Sequence, residues 1–297
     1  MMQIKTILVP TDFSEHADKA IETAEILAKP LGATIHLLHV LHLPVQAVTP
    51  EMAVVPVGFW QDLRAHAERK LDASRSAIEK QGVRCTSELV EDIPGFAVAA
   101  AAKRLNADLL VMGSRGLTGL KHALLGSVAE RTVRTAPCPV LIVKHDGTGA
   151  LRLRTILVPM DFSPASHRAL DLAKELAKGA GPAHLILVHA YYVPIELEQF
   201  LIQQGDPVLE RLSESVTKDL EKILTGLQDA GISSEYLASR GAPERLIVEL
   251  AKQKHADLIV MGTHGRRGLS HLLLGSVAER VVRTAECPVM TVQEKTS

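Results

Sequence analysis

Two turns of the form Gly-x2-Gly, each followed nine residues later by a Gly-Ser pair, stand out in this chain. They are Gly113, Gly116, Gly126 and Ser127, and again Gly262, Gly265, Gly275 and Ser276. These residue types at this spacing suit an anion, and a phosphate above all. Glycine lets the backbone approach a phosphate oxygen closely, while the unpaired amides that open a helix supply donors and the positive end of a dipole. Ser127 and Ser276 can each add a hydroxyl. One Gly-x2-Gly alone is more often a tight turn without a ligand. Its recurrence after an apolar run, with a Gly-Ser at the next helix start each time, favours the ligand.

Asp12 and Asp161 follow the first apolar run of each half, in the matching stretches VPTDFS and VPMDFS. A carboxylate there can accept from ribose hydroxyls or from the edge of a nucleoside, as acidic residues do in other dinucleotide crevices. The competing role is a turn contact within its own loop. Arg115, Lys121 and His122 in the first half, and His264, Arg266, Arg267 and His271 in the second, can meet phosphates or form a solvated basic loop. Neither half contains Gly-x4-Gly-Lys-Ser/Thr, so there is no Walker lysine and no standard magnesium serine. Phosphoryl transfer depends chiefly on positioning and on stabilising the leaving phosphates. A site of backbone donors therefore holds ATP well and hydrolyses it poorly. No nucleophile and base can be paired, so no catalytic residue is assigned.

Other reactive side chains carry less. His36, His39 and His42 have a spacing that tempts a metal reading, but side chains alternate along a strand, so the three cannot all face one way. Cys138 and Cys287 lie just before the last strand of each half and suit packing better than redox chemistry, since no resolving partner is identified. Glu130-Arg131 and Glu279-Arg280 fit ion pairs better than acid and base work.

The elements that position these residues are legible from an internal repeat. The 37 residues from Ala107 match the 37 from Ala256 at 26 positions. Asp12 and Asp161, Gly113 and Gly262, Gly126 and Gly275, and Cys138 and Cys287 are each 149 residues apart, which reads as one constant offset over the whole length. Two halves of this size match ordinary domains, taken as residues 1–147 and 152–297, with the boundary in the polar, Gly-rich stretch 145–152. So short a linker predicts that the halves pack together.

The first half alternates strands at residues 4–10, 33–41, 83–90, 107–112 and 139–144 with helices near 14–29, 60–81, 94–105 and 125–135. The second repeats the order, with strands at 155–159, 184–190, 232–238, 256–261 and 288–292. Near-continuous apolar runs suit parallel strands covered on both faces. Ser14, Ser163 with Pro164, Pro94 and Pro243 are helix-start signals. The irregular stretches 43–59 and 193–207 differ most between the copies. They fall near the carboxyl ends of the strands, where open α/β sheets bind ligands, and suit lids, partner surfaces or plain covering loops.

A net charge of -1, from 33 basic and 34 acidic residues, gives no bulk attraction for nucleic acid or an anionic membrane. The halves are each nearly neutral. Three cysteines without a Cys-x2-Cys, and a start that runs directly into a strand, point to the cytoplasm. No apolar run reaches membrane-spanning length.

The doubled pattern Gly-x2-Gly-x9-Gly-Ser resembles that of the universal stress protein family, in its ATP-binding, UspA-like branch and in tandem form. The resemblance covers nearly the whole chain. It implies an α/β fold of two Rossmann-like domains, similar to adenine nucleotide alpha hydrolases. Each domain would be a five-stranded parallel sheet in the order 3-2-1-4-5 with helices on both faces. It implies an internal pseudo-dimer of the two halves through their last strands, with a homodimer of the chain as a further option. It also implies ATP as the ligand, with Mg²⁺ or Mn²⁺ on its phosphates. The nucleotide set carried over is Pro10, Asp12, Val40, Met112, Gly113, Gly116, Gly126, Ser127 and Val128 in the first half. In the second it is Pro159, Asp161, Ala190, Met261, Gly262, Gly265, Gly275, Ser276 and Val277. In that set the aspartate lies by the nucleoside, the residue closing the second strand meets adenine through its backbone, and the glycine loop wraps the phosphates. The function implied is a stress-response protein acting through nucleotide-dependent conformation or assembly. A slow ATPase and a nucleotide-independent interaction module are the alternatives.

Overall fold

The computed structural model describes residues 3–42, 58–116, 125–144, 151–179, 181–191, 203–204, 208–264 and 274–293. The chain divides into two compact units, Gln3–Ala150 and Leu151–Ser297. In the first, the elements run β1 (Thr6–Pro10), α1 (Glu15–Leu31), β2 (Thr34–Leu41), α2 (Phe59–Lys80), β3 (Cys85–Glu91), α3 (Pro94–Arg104), β4 (Leu109–Gly113), α4 (Ser127–Thr135) and β5 (Val140–Val143). The strands are parallel and lie in the order β3-β2-β1-β4-β5.

The second unit runs β6 (Thr155–Pro159), α5 (Pro164–Gly179), β7 (His184–Tyr191), α6 (Val208–Asp229), β8 (Ser234–Arg240), α7 (Pro243–Gln253), β9 (Leu258–Gly262), α8 (Ser276–Thr284) and β10 (Val289–Val292). There β6 pairs with β7 and β9, β7 with β8, and β9 with β10, all parallel.

The apolar runs explain the layering. Ile7, Leu8 and Val9 of β1 and Leu109, Leu110 and Val111 of β4 are all fully buried. Successive residues point to opposite faces of a strand, so both faces of the sheet are covered. In the second unit, Ile156, Leu157 and Val158 of β6 and Leu258, Ile259 and Val260 of β9 repeat the pattern.

Helix starts follow the local signals. The Ser14 hydroxyl oxygen accepts from the Ala17 amide at 3.3 Å, and that of Ser163 from the Ser166 amide at 3.2 Å. Each satisfies one of the amides a helix start leaves unpaired. Pro94 and Pro243 are the first residues of α3 and α7. The Ala-Asp-Leu stretch that opens the long repeat has a structural use of its own. Asp108 Oδ2 accepts from the amides of Lys5 and Thr6 at 2.8 and 2.9 Å, and Asp257 Oδ2 from those of Arg154 and Thr155 at 2.9 Å each. The carboxylate thus ties the start of the fourth strand to the start of the first in both units.

The constant offset does not hold along the whole repeat. Thr6 lies opposite Thr34, whereas Thr155, its equivalent at 149, lies opposite His184. The second strand of the second unit is therefore displaced by 150. The third strand returns to 149, since Ile35 faces Cys85 and Leu185 faces Ser234. One residue has been gained before β7 and one lost before β8. Both changes fall outside the strands, where they leave the pairing register intact.

Cys85 and Cys138 are buried and Cys287 is half-buried. Burial pushes the Cys85 and Cys138 thiols up to about 12. Since the thiolate is the reactive form, a thiol reagent at pH 8 is expected to label Cys287 rapidly in the folded protein, with Cys85 and Cys138 reacting only in denaturant. Fast labelling of three thiols without denaturant would contradict the burial.

Candidate functional site

The carboxyl ends of the first and fourth strands bring two loops together in each unit. In the first unit the β1–α1 loop makes a compact turn around Asp12. Its Oδ1 accepts from the Ser14 amide at 3.1 Å and from the Ser14 hydroxyl at 2.5 Å. In the second unit Asp161 Oδ1 accepts from the Ser163 amide at 3.0 Å and the Ser163 hydroxyl at 2.6 Å. The turn contact is therefore made by one carboxylate oxygen of each aspartate.

The other oxygen of Asp12 faces the glycine loop. A Cβ placed on Gly116 would lie 2.3 Å from Asp12 Oδ2, so the loop comes this close to the carboxylate only because residue 116 is glycine. A Cβ on Gly113 would meet the His16 carbonyl oxygen at 2.7 Å, and one on Gly262 would meet Ala165 Cβ at 2.9 Å. In the second unit the same two loops approach through Ser163, whose hydroxyl lies 3.4 Å from the His264 carbonyl oxygen.

Each glycine loop leads to a helix start. The Gly126 amide donates to the Ser114 carbonyl at 2.8 Å and the Gly275 amide to that of Thr263 at 2.8 Å. Gly126 and Gly275 are the N-caps of α4 and α8, and neither supplies a side-chain cap. The first turns of both helices thus present amides and a positive dipole end beside the glycine loops. Ser127 and Ser276 are exposed there, and Val128 and Val277 are half-buried.

The remaining sequence candidates frame these loops. Pro10 and Pro159 end β1 and β6, half-buried, and Met112 and Met261 are buried on β4 and β9 just before the glycines. Val40, opposite Val90, and Ala190, opposite Ser239, lie near the ends of β2 and β7. Gly265 falls outside the described residues, as do Lys121, His122, Arg266, Arg267, His271 and most of the two irregular stretches.

Two residues per unit that sequence reasoning passed over complete the arrangement. His39 Nδ1 donates to the Thr11 carbonyl at 2.8 Å, and His189 Nδ1 to the Met160 carbonyl at 2.7 Å. Their rings pack on Phe13 and Phe162, with centroids 4.4 and 5.1 Å apart. Both phenylalanines sit in the left-handed region, at φ 62° and 61°, which is uncommon for a bulky residue. The signal was present in the sequence, because Asp-Phe-Ser and the strand-ending histidine occur in both halves. The spacing of His36, His39 and His42 drew attention to metal chemistry instead. In the structure the three histidines have separate partners. His36 Nδ1 meets Thr86 Oγ1 at 2.7 Å, with its Nε2 3.4 Å from Glu88, and His42 Nδ1 meets the Asp92 carbonyl at 3.3 Å. Burial pushes the His36 imidazole down, against the opposing pull of Glu88.

The Glu-Arg pairs of α4 and α8 are structural. Glu130 pairs with Arg134 at 2.9 Å and Glu279 with Arg283 at 3.3 Å, each one turn apart on its helix. Arg131 lies 3.6 Å from the centroid of the Phe96 ring, and Arg280 pairs with Glu244.

This is the geometry of a tandem α/β protein with a glycine loop and a helix start without a side-chain cap at the strand ends of each unit. The pattern of the universal stress protein family matches residues 3–144 and 152–293. The chain belongs to the universal stress protein family. It is 30% identical over 300 residues to a universal stress protein of Mycolicibacterium smegmatis, with 97% of each chain covered. A universal stress protein of Mycobacterium tuberculosis is 29% identical over 295 residues, again with 97% of each covered. Among solved structures, the fold is similar to that of a universal stress protein from Archaeoglobus fulgidus, with a TM-score of 0.76 and 26% identity over 99% of this chain and 97% of that one. No helix among the described residues is long and apolar enough to cross a membrane.

Proposed function

We propose that each unit binds an adenine nucleotide, ATP in the first instance, and that the protein acts in the stress response through nucleotide-dependent conformation or assembly. The observation that carries this reading is the uncapped start of α4 and of α8 beside a glycine loop, in both units. Backbone amides aimed at one point suit a phosphate and tolerate no bulk between them and it. The glycine loops and Ser127 or Ser276 take the phosphates. Asp12 or Asp161, with the backbone of Val40 or Ala190, takes the nucleoside end. Pro10, Met112 and Val128, with Pro159, Met261 and Val277, line the surround.

Mg²⁺ or Mn²⁺ would ride on the phosphates and supply charge neutralisation there. With no Walker lysine, hydrolysis is at most slow. The reading also takes the two units as partners through their last strands, since a final strand left unpaired exposes a row of hydrogen-bonding groups. It places the protein in the cytoplasm.

The test is calorimetric titration with ATP, together with quantification of nucleotide released from the freshly purified, denatured protein. Two sites per chain are expected. Gly116→Val and Gly275→Val are each expected to remove one, because the added side chain would meet Asp12 Oδ2 or the Thr263 carbonyl. Absence of binding in the unaltered protein would reject the proposal and favour the nucleotide-independent module. Release of ADP and phosphate in proportion to protein, lost in the same variants, would favour the slow ATPase.

A further inference from the structure

Asp12 and Asp161 each stand between two constrained neighbours. Before them, the Thr11 amide donates to the Leu38 carbonyl at 2.9 Å and the Met160 amide to the Val188 carbonyl at 2.8 Å, both on the second strand of the unit. The carbonyls of the same two buried residues accept from His39 Nδ1 and His189 Nδ1 at 2.8 and 2.7 Å. A carbonyl has no hydrogen to give, so each imidazole must carry one on Nδ1. The peptide group entering each aspartate is thus tied to the second strand by a side chain, one residue beyond the end of β1 or β6.

After them, Phe13 and Phe162 take the left-handed conformation. It is costly for a bulky side chain, and costly backbone conformations gather where a site needs them. Each ring lies against the imidazole that made the first bond, with centroids 4.4 and 5.1 Å apart. One histidine therefore meets the chain on both sides of each aspartate. The arrangement recurs although the offset between the copies differs at its two ends, 149 from Phe13 to Phe162 and 150 from His39 to His189. The residue gained before β7 has not parted the histidine from the phenylalanine.

We infer that His39 and His189 are positioning residues for the nucleoside end of the bound nucleotide, acting through Asp12 and Asp161. With the carbonyl before it pinned and the residue after it turned left-handed, each aspartate has one placement. Its Oδ1 is spent on the amide and hydroxyl of Ser14 or Ser163, and in the first unit Oδ2 faces Gly116. Without the imidazole the entering peptide can rotate, and the carboxylate swings with it. The glycine loop and the start of α4 or α8 hold phosphates without help from this clasp. The inference rests on the nucleotide-binding reading given above and adds a division of labour to it: the clasp sets the affinity for the nucleoside and leaves that for polyphosphate alone.

The experiment is calorimetric titration of the full chain with ATP and, separately, with inorganic tripolyphosphate, for the unaltered protein, His39→Leu and His39→Asn. Leucine fills space and donates nothing, whereas the asparagine amide can stand in for Nδ1–H. In His39→Leu one of two ATP sites is expected to weaken roughly tenfold, the size of a hydrogen bond lost at a buried acceptor, with tripolyphosphate binding unchanged. His39→Asn should restore most of the ATP affinity. His189→Leu and His189→Asn should do the same in the second unit. A second measurement keeps the test open if a leucine variant fails to fold. In spectra of the unaltered protein labelled with ¹⁵N-histidine, the Nδ1 hydrogens of His39 and His189 should exchange slowly with solvent and shift on addition of ATP but not of tripolyphosphate. Unchanged ATP affinity in the leucine variants, equal weakening toward both ligands, no rescue by asparagine, Nδ1 hydrogens indifferent to ATP, or no tripolyphosphate binding to the unaltered protein would each overturn the inference while leaving nucleotide binding intact. Failure of ATP to bind the unaltered protein would overturn both.

Discussion

Gly113→Ala is expected to destabilise the first unit by about 1–3 kcal/mol, the usual cost of forcing one extra carbon into a packed interior. The new Cβ would sit 2.7 Å from the His16 carbonyl oxygen and 3.0 Å from its carbon. These are backbone atoms of the first turn of α1, so no side chain can swing aside to make room. The turn itself must shift, and it carries Ser14, which holds Asp12 by two hydrogen bonds. Loss of stability and weaker ATP binding are therefore expected together. Gly262→Ala should behave alike in the second unit, because its Cβ would meet Ala165 at 2.9 and 3.0 Å. Gly126→Ala is the control, with its nearest contact at 3.4 Å, and should cost under about 1 kcal/mol. Urea unfolding with hydrogen exchange at the amides of β4 and β9 separates the units. Equal costs for Gly113→Ala and Gly126→Ala would mean that close backbone approach is not what glycine provides at position 113.

Thr132→Val is expected to change stability in the opposite direction. Thr132 lies on α4, wholly buried at 0% exposure, and its hydroxyl has no hydrogen-bond partner among the described residues. The equivalent residue of the second unit is Val281 on α8, also at 0%. The two side chains have nearly the same shape, so the exchange removes a buried unsatisfied hydroxyl and leaves packing in place. Such a group costs about 1–3 kcal/mol in proteins, and the valine variant should be more stable by an amount in that range. The reverse change, Val281→Thr, should destabilise the second unit comparably. Both are read as shifts of the urea midpoint with an unchanged slope. A valine variant no more stable than the original would show that the Thr132 hydroxyl is satisfied in solution, by a water for instance.

Much of the architecture was legible because it rests on local patterns. Near-continuous apolar runs named the parallel strands, and Ser14, Ser163, Pro94 and Pro243 marked helix starts where the helices begin. The aspartates and glycines were legible as a site because residue type, spacing and repetition agreed. The one-residue displacement of β7 escaped notice, since the landmarks used to measure the offset lie on either side of two compensating changes. His39 and His189 were passed over for a different reason. Their partners, the carbonyls of Thr11 and Met160, are 28 and 29 residues away in the chain and are brought near only by parallel pairing of the first two strands.

The order of elements, the duplication and the residue types that can meet a phosphate follow from the chain alone, because propensity, periodicity and turn chemistry act over a few residues. Tertiary structure decided which groups are already committed and which are left over. Asp12 spends one oxygen on Ser14 and turns the other toward Gly116, and the Thr132 hydroxyl is left without a partner among the described residues. Hydrogen-bond satisfaction and close packing are properties of surroundings assembled from distant segments, so they become definite only when the sheet has brought those segments together.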